Sequence, residues 1–233
     1  MPISRIIGLV AFLLSAVSPA WAQLEEVVVT GSRLSGEDYS RIPAVVLQRR
    51  ADFLVQAIRL TNDTRLPDAR KRELYQTIRD MVADAAKQRG IALGYGDEFL
   101  IPVTATDYEV PLSNGNKSDT SSAEIFVKLA LSTSDDVAKS ISTVNAFIKQ
   151  ARLTGRTEVE PIGEISLSLV KPEKYRFDII AKIAEDAQRV RDAVNKQCEV
   201  HISGLSNRVS WRRSDVSELT LYVPYEIELQ GCK

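Results

Sequence analysis

The sequence is poor in the residues that most often carry enzyme chemistry. It contains one histidine, His201, and two cysteines, Cys198 and Cys232, among 233 residues. A nucleophilic triad needs a base, and a zinc site needs several nitrogen or sulfur ligands at close spacing, which these three residues do not offer. We therefore expect no catalytic residue, no metal site and no bound cofactor, and we predict that the protein is not an enzyme.

An excess of charge of one sign is also missing. The chain has 30 basic and 31 acidic residues, a net charge of −1, and loss of Arg5 with the N-terminal segment described next changes it to about −2. A balanced surface gives no electrostatic attraction to nucleic acid or to an anionic membrane. We expect no nucleic-acid partner, and short basic runs such as residues 70–72 are interpreted as solvated faces.

Long apolar runs are absent after residue 22. The first 22 residues combine Arg5, an apolar run over residues 6–17 and a small-residue end at Ala20 and Ala22, which is typical of a secretory signal peptide. An uncleaved anchor is the alternative, but the run is shorter than the roughly 20 residues that cross a bilayer. We predict that residues 1–22 are a signal peptide and that the mature chain is periplasmic, in a Gram-negative bacterium, without a transmembrane span.

The two cysteines are predicted to be bonded to each other. An even number of cysteines in an oxidising compartment usually means a bridge. A Cys198–Cys232 disulfide would stabilise the fold by about 3–4 kcal/mol in the chain-entropy model. The alternative is one buried thiol and one thiol in a frayed terminus.

The mature chain divides into a leader and one domain. The leader, residues 23–48, has no helical period and contains Gly31, Gly36 and Pro43, so we predict an extended and flexible segment. The remainder, residues 49–233, has a length and composition suited to a single domain with its own core.

Apolar spacing assigns the elements of that domain. Helical periodicity predicts helices over residues 67–89, 135–152 and 173–195, with Pro67 in the first turn of one helix and Ser134 as the N-cap of another. Alternation predicts strands at 51–62, 91–95, 98–106, 123–133, 158–171, 197–204, 207–213 and 217–230. The predicted fold class is α+β, with a mixed, mostly antiparallel sheet on which about three amphipathic helices pack.

Two positions in the predicted C-terminal strands are informative. His201 shares a strand face with Glu199 and Ser203, so alternation predicts a half-exposed polar position for this histidine. Pro224 lies within the predicted strand 217–230 and has no backbone N–H to donate, which predicts an edge strand or a bulge at this point.

The leader contains a short motif. Residues 23–34 read QLEEVVVTGSRL, which resembles the periplasmic start of TonB-dependent outer-membrane receptors, where an extended segment is offered as a strand to TonB. The resemblance implies partner binding by strand addition. The residues that would bind are Glu25, Glu26, Val27, Val28, Val29, Thr30, Gly31, Ser32 and Arg33. A disordered leader without a partner is the alternative.

A second resemblance covers most of the mature chain. The order of elements, with the early pair Pro67-Asp68, is similar to that of the SIMPL domain of bacterial envelope proteins, most of all over residues 180–229. The resemblance implies a periplasmic domain built from β-α-β repeats, with no catalytic residues to carry over. Self-association into a homo-oligomer is one alternative that it includes. We predict a non-catalytic periplasmic envelope protein that acts through protein–protein contact or self-assembly. The alternatives are a TonB-interacting accessory protein of an outer-membrane uptake system and a small-molecule binding protein.

Overall fold

The structure is a computed structural model, and it describes residues 26–29, 42–97, 99–115 and 119–232. The described chain forms three α-helices and twelve β-strands, and every strand pairing is antiparallel. The predicted α+β class, with a mostly antiparallel sheet and three helices, is therefore confirmed. The predicted signal peptide, residues 1–22, lies outside the described residues. None of the described helices combines the length and the apolar character that crossing a membrane requires.

The strands form three sheets. In chain order the strands are β1 Glu26–Val29, β2 Leu47–Arg50, β3 Phe53–Asn62, β4 Ile91–Tyr95, β5 Ile101–Val103, β6 Ser113–Asn114, β7 Ser121–Ala130, β8 Thr157–Val170, β9 Glu199–Ser203, β10 Ser210–Arg213, β11 Glu218–Tyr222 and β12 Glu226–Gln230. The main sheet has the order β1-β8-β3-β7-β4-β5, with β6 beside β7. The two smaller sheets have the orders β10-β11-β2 and β12-β9.

The helices are α1 Pro67–Ala85, α2 Val137–Lys149 and α3 Arg176–Val194. Helix α1 begins at the predicted proline, which suits the first turn because that turn leaves its N–H groups unpaired. Its apolar stripe is buried as predicted, at Leu74, Ile78, Met81 and Ala85. The helix ends before the predicted residue 89, and Gly90, with a φ of +83°, turns the chain into β4.

The predicted N-cap of α2 is wrong by two residues. The cap is Asp136 instead of Ser134, and its carboxylate accepts from the backbone N–H of Ala138 at 2.8 Å and of Lys139 at 3.3 Å. Residues 132–135 are occupied in a turn of their own before the helix begins. A carboxylate in this position also satisfies the donors of the first helical turn and interacts favourably with the helix dipole.

Two boundaries near the C-terminus differ from the predictions for local reasons. Pro172 opens a 3-10 turn, Pro172–Tyr175, and α3 starts only at Arg176. The predicted strand 217–230 is interrupted between β11 and β12 at Pro224, where a ladder donor is missing. The carbonyl of Pro224 instead accepts a hydrogen bond from Asn207 Nδ2 at 2.8 Å.

Two hydrophobic cores hold these elements together. The first core lies between α1, α2 and the main sheet at β3, β4 and β7, and its fully buried side chains include Leu54, Ile58, Leu60, Leu74, Ile78, Met81 and Ile125. The second core lies between α3, β1, one end of β8 and the sheet of β10 and β11, and it includes Val27, Val29, Leu167, Leu169, Ile179, Ile183, Leu219 and Leu221. Strand β1 therefore belongs to the second core.

The main sheet curls into a half-barrel, so that β1, at one end of the strand order, also contacts the chain next to β5 at the other end. Strand β1 pairs with β8 at one end of the strand order. On its other side Val27 forms a β-bridge with Phe99, and the N–H of Leu100 donates to the carbonyl of Glu26 at 3.0 Å. Phe99 and Leu100 directly precede β5, the strand at the opposite end of the order.

Candidate functional site

The structure describes four of the nine predicted partner-binding residues. Glu26, Val27, Val28 and Val29 form β1, whereas Glu25, Thr30, Gly31, Ser32 and Arg33 lie outside the described residues. Within the predicted leader, β1 and the first two residues of β2 are extended, and both segments are paired into sheets. The local sequence shows that such segments are extended, but not that a partner strand lies elsewhere in the chain.

The backbone of β1 is held on two sides. Along β8 the register runs from Glu26 opposite Val170 to Val29 opposite Leu167. The opposite edge of β1 meets the Phe99–Leu100 backbone described above. We call the space that β1 occupies the β1 cleft, which consists of the β8 edge from Leu167 to Val170, the Phe99–Leu100 backbone and the side chain of Lys128 described below.

The side chains of β1 alternate between two environments, as strand geometry requires. Val27 and Val29 point into the second core, where they are 1% and 7% exposed. They pack in the core that also contains Leu167 and Leu169 of β8. Burying two valines fully contributes about 1.5–3 kcal/mol each relative to exposed positions, so β1 is a substantial part of this core.

Glu26 points to the other face of the main sheet and forms a buried ion pair there. Its carboxylate accepts a hydrogen bond from Lys128 Nζ of β7, and the two side chains are 6% and 9% exposed. Ser168 Oγ donates to the second carboxylate oxygen at 2.5 Å. The ammonium group of Lys128 also lies 4.1 Å from the centroid of the Phe53 ring, within the range of a cation–π contact.

The ion pair depends on the curl of the sheet. Strands β1 and β7 are separated by β8 and β3 in the strand order. Because neighbouring strands lie about 4.8 Å apart, β1 and β7 would be roughly 14 Å apart in a flat sheet. Glu26 and Lys128 therefore meet across the concave face, and their contact holds β1 against the inside of the half-barrel.

A buried ion pair of this kind makes the position of β1 specific. Desolvating two charges costs several kcal/mol, which the attraction between them offsets only when the geometry is good. If one partner is removed, the other remains as an uncompensated buried charge, and this typically costs about 3–5 kcal/mol. Lys128 therefore requires a negative group at the position that Glu26 occupies.

An exposed charge cluster on the same face provides a contrast. Arg59 of β3 contacts Glu124 of β7 at 2.8 Å and Glu160 of β8 at 3.1 Å. These side chains are 30%, 57% and 63% exposed. Pairs with this exposure are screened by solvent and contribute little to stability, so charge on this face matters mainly where the sheet closes over it.

The remaining predicted residues have structural positions. Cys198 and Cys232 form the predicted disulfide, with their Cα atoms 4.3 Å apart. His201 lies on β9 opposite Glu228 of β12, on an exposed face shared with Glu199 and Ser203. In the described part of the chain, no group of three or more His, Cys, Asp or Glu residues lies where it would hold a metal ion.

The carboxylates of Glu73 and Asp84 have lowered pKa values, and each of them links α1 to a neighbouring segment. Hydrogen bonds from the Thr64 hydroxyl, the Asn62 amide and the backbone N–H of Arg156 lower the pKa of Glu73. Hydrogen bonds from Arg152 and then Lys87 lower the pKa of Asp84 to about 2. Their partners satisfy these groups, which points to a structural role.

Two solvent-open clefts on the described surface have volumes of about 590 Å³ each. One lies where β11 and β12 separate and is lined by Ile42, Pro43, Ser203, Gly204, Asn207, Pro224, Tyr225 and Glu226. The other lies at the start of α2, where Arg89 and Lys139 face Asp135 and Asp136. In the second cleft, hydrogen bonds from the backbone and side chain of Ser132 lower the pKa of Asp135. The positive charges of Arg50 and Arg89 lower it further.

Sequence reasoning missed Lys128 and Ser168 as parts of the β1 cleft. Both lie in strands that were predicted, but polar residues alternating with apolar ones indicate a solvent-facing side. Comparisons of the chain with protein-family models, with curated proteins and with solved structures find no match. The β1 cleft is therefore assigned as the candidate functional site from geometry alone.

Proposed function

We propose that this chain is a non-catalytic protein of the bacterial periplasm, exported by residues 1–22, and that it acts through protein–protein contact at the β1 cleft. One observation carries the proposal. A strand of four residues lies between two edges of one sheet and contributes backbone hydrogen bonds, two core side chains and one buried charge.

These are the contacts by which an extended segment adds to a sheet. In strand addition, main-chain hydrogen bonds supply affinity, and pockets for alternate side chains supply specificity. The β1 cleft has both, because Val27 and Val29 fill the second core while Glu26 meets Lys128. A segment without an acid at the first position leaves Lys128 unpaired and is disfavoured.

The surface beside β1 supports the same proposal. Phe99 and Ile101 are 41% and 42% exposed, next to the bridge that β1 makes with the chain before β5. Strand β5 ends the strand order of the main sheet, and Pro102 within it cannot donate a hydrogen bond. Apolar side chains at the end of a sheet are a typical feature of a protein contact surface.

The test is the association state of the oxidised mature chain, residues 23–233. Light scattering across a hundredfold range of protein concentration should show a molar mass that rises above that of the monomer. The variant Phe99→Ser with Ile101→Ser should associate less, whereas Leu153→Ser, at a residue that is 41% exposed and lies away from β1, should not change it. A monomer at every concentration that also fails to bind TonB would contradict the proposal.

A TonB-interacting accessory protein is the second candidate. The observation in its favour is that the described part of the motif, Glu26–Val29, already has the extended conformation that strand addition requires. Such binding requires β1 to leave its cleft, so Lys128→Met, which removes the partner of Glu26, should strengthen binding to the periplasmic domain of TonB. Equal absence of binding for the mature chain and for this variant in calorimetry would end the candidate.

A further inference from the structure

We propose that β1 is exchanged between two copies of this chain, so that β1 of each copy occupies the β1 cleft of the other. The inference rests on the proposed function and names its partner as a second copy. Exchange of an identical element between protomers is a low-cost route to a dimer, because the contacts in the exchanged and closed forms are the same.

The contacts of β1 are independent of which copy supplies it. Glu26 is 102 residues away in sequence from Lys128 and 142 residues away from Ser168. The backbone partners of β1, in β8 and at Phe99–Leu100, are also remote, at 72 or more positions along the chain (99 − 27 = 72 for the nearest pair). In the described chain, β1 is thus held by parts of the domain that are not its neighbours in sequence.

The segment after β1 is long enough for exchange. Residues 30–46 join β1 to β2. A chain of that length spans at most roughly 55–60 Å when fully extended, which exceeds the roughly 40 Å diameter of a compact domain of this size. The connection therefore permits β1 to reach the cleft of an adjacent copy.

The chemistry of the β1 cleft favours the sequence of β1 over segments with other sequences. The cleft requires an extended segment with an acid at one position and β-branched apolar residues one and three positions later, and the sequence from Glu26 to Val29 meets this requirement. A second copy always brings this sequence. A segment with a neutral or basic first residue leaves the buried ammonium of Lys128 without a partner.

The experiment uses cysteines at registered positions of β1 and β8. Val28 lies opposite Ser168 in the pairing, so Val28→Cys in one copy and Ser168→Cys in another are neighbours only after exchange. The two single variants of the mature chain, each with its native disulfide oxidised, are mixed, equilibrated and then oxidised. Exchange predicts a disulfide-linked dimer containing one copy of each variant, identified by mass spectrometry of the linked peptides.

A matched control measures accidental collisions. Ser142 is exposed on α2 and does not pair with β1, so Val28→Cys mixed with Ser142→Cys gives the background. The exchange dimer should exceed this background at least tenfold. If Ser168→Cys does not fold, the bridge partners Val27→Cys and Phe99→Cys provide a second pair with the same logic.

The outcomes separate the two proposals. Exchange is overturned by two results together: the linked dimer stays at the background level, and the double variant Val28→Cys/Ser168→Cys forms its new disulfide within a single chain. If the unmodified chain still associates in light scattering, the proposed contact function stands and only exchange is lost. If the unmodified chain stays monomeric and binds no TonB, the proposed function fails as well.

Discussion

Replacing Lys128 by methionine tests how strongly the buried ion pair holds β1. The methionine keeps most of the apolar stem but removes the charge, so the Glu26 carboxylate stays buried, and among the described residues its remaining partner is the Ser168 hydroxyl. We expect Lys128→Met to lower the free energy of unfolding by about 3–5 kcal/mol. In a domain with a typical stability of about 5–15 kcal/mol, that loss is easily measured.

The double variant isolates the pair itself. Glu26→Gln with Lys128→Met removes both charges, and the glutamine still accepts from Ser168, so we expect the double variant to be more stable than Lys128→Met alone. The coupling in a double-mutant cycle should be about 2 kcal/mol or more. Glu124→Gln is the control, since its pair with Arg59 is exposed to solvent and should contribute little to stability.

Urea unfolding of the oxidised mature chain provides the assay. Trp211 is the only tryptophan after residue 22, and it packs against the second core, so its fluorescence reports on the region that contains β1. Far-ultraviolet circular dichroism provides a second probe of the same transition. A cost for Lys128→Met no larger than that of Glu124→Gln, or single costs that simply add in the double variant, would refute the reasoning.

Three further results are expected in urea unfolding. Gly155→Ala should destabilise more than Gly163→Ala: both positions have positive φ, but only at residue 155 does an added Cβ meet the Glu73 carboxylate, at 2.1 Å, and equal costs would contradict this. Because the pKa of Asp84 is lowered to about 2, its ion pairs stabilise the fold above pH about 4 and lose this effect as the pH falls towards 2. Asp84→Asn should therefore flatten the pH dependence of stability in that window. An unchanged profile would refute this assignment. Reducing the Cys198–Cys232 disulfide, which joins residues 34 apart, should cost about 3–4 kcal/mol, and an unchanged midpoint would show that the bridge adds no stability.

Local sequence patterns predicted the helices and most strands because each pattern reflects one face of one element. The stripe containing Leu74, Ile78 and Met81 has helical spacing, and all three side chains are fully buried in α1. Pro224 likewise marked the point where a long strand is interrupted. Errors of a few residues arose where two capping residues compete, as at Ser134 and Asp136.

Local patterns did not predict the β1 cleft, because it depends on contacts between remote segments. The β-branched run at residues 27–30 indicated an extended segment, but the pairing of β1 with β8 joins residues more than a hundred positions apart. Lys128 alternates with Val127 and Leu129, which normally indicates a solvent-facing position. Its burial results from the curl of several strands together, and no single segment encodes that curl.

Hydrogen exchange at the Leu100 amide is the most direct test of the claim that β1 is part of the folded domain. Its N–H donates to the Glu26 carbonyl at 3.0 Å, so its protection against hydrogen exchange depends on β1 being in place. In the oxidised mature chain under native conditions, exchange at Leu100 and at the amides of β1 that pair with β8 should be slowed well below the unfolded-chain rate. Exchange of the Leu100 amide at the unfolded-chain rate, while the amides of β3 and β7 remain protected, would contradict the account.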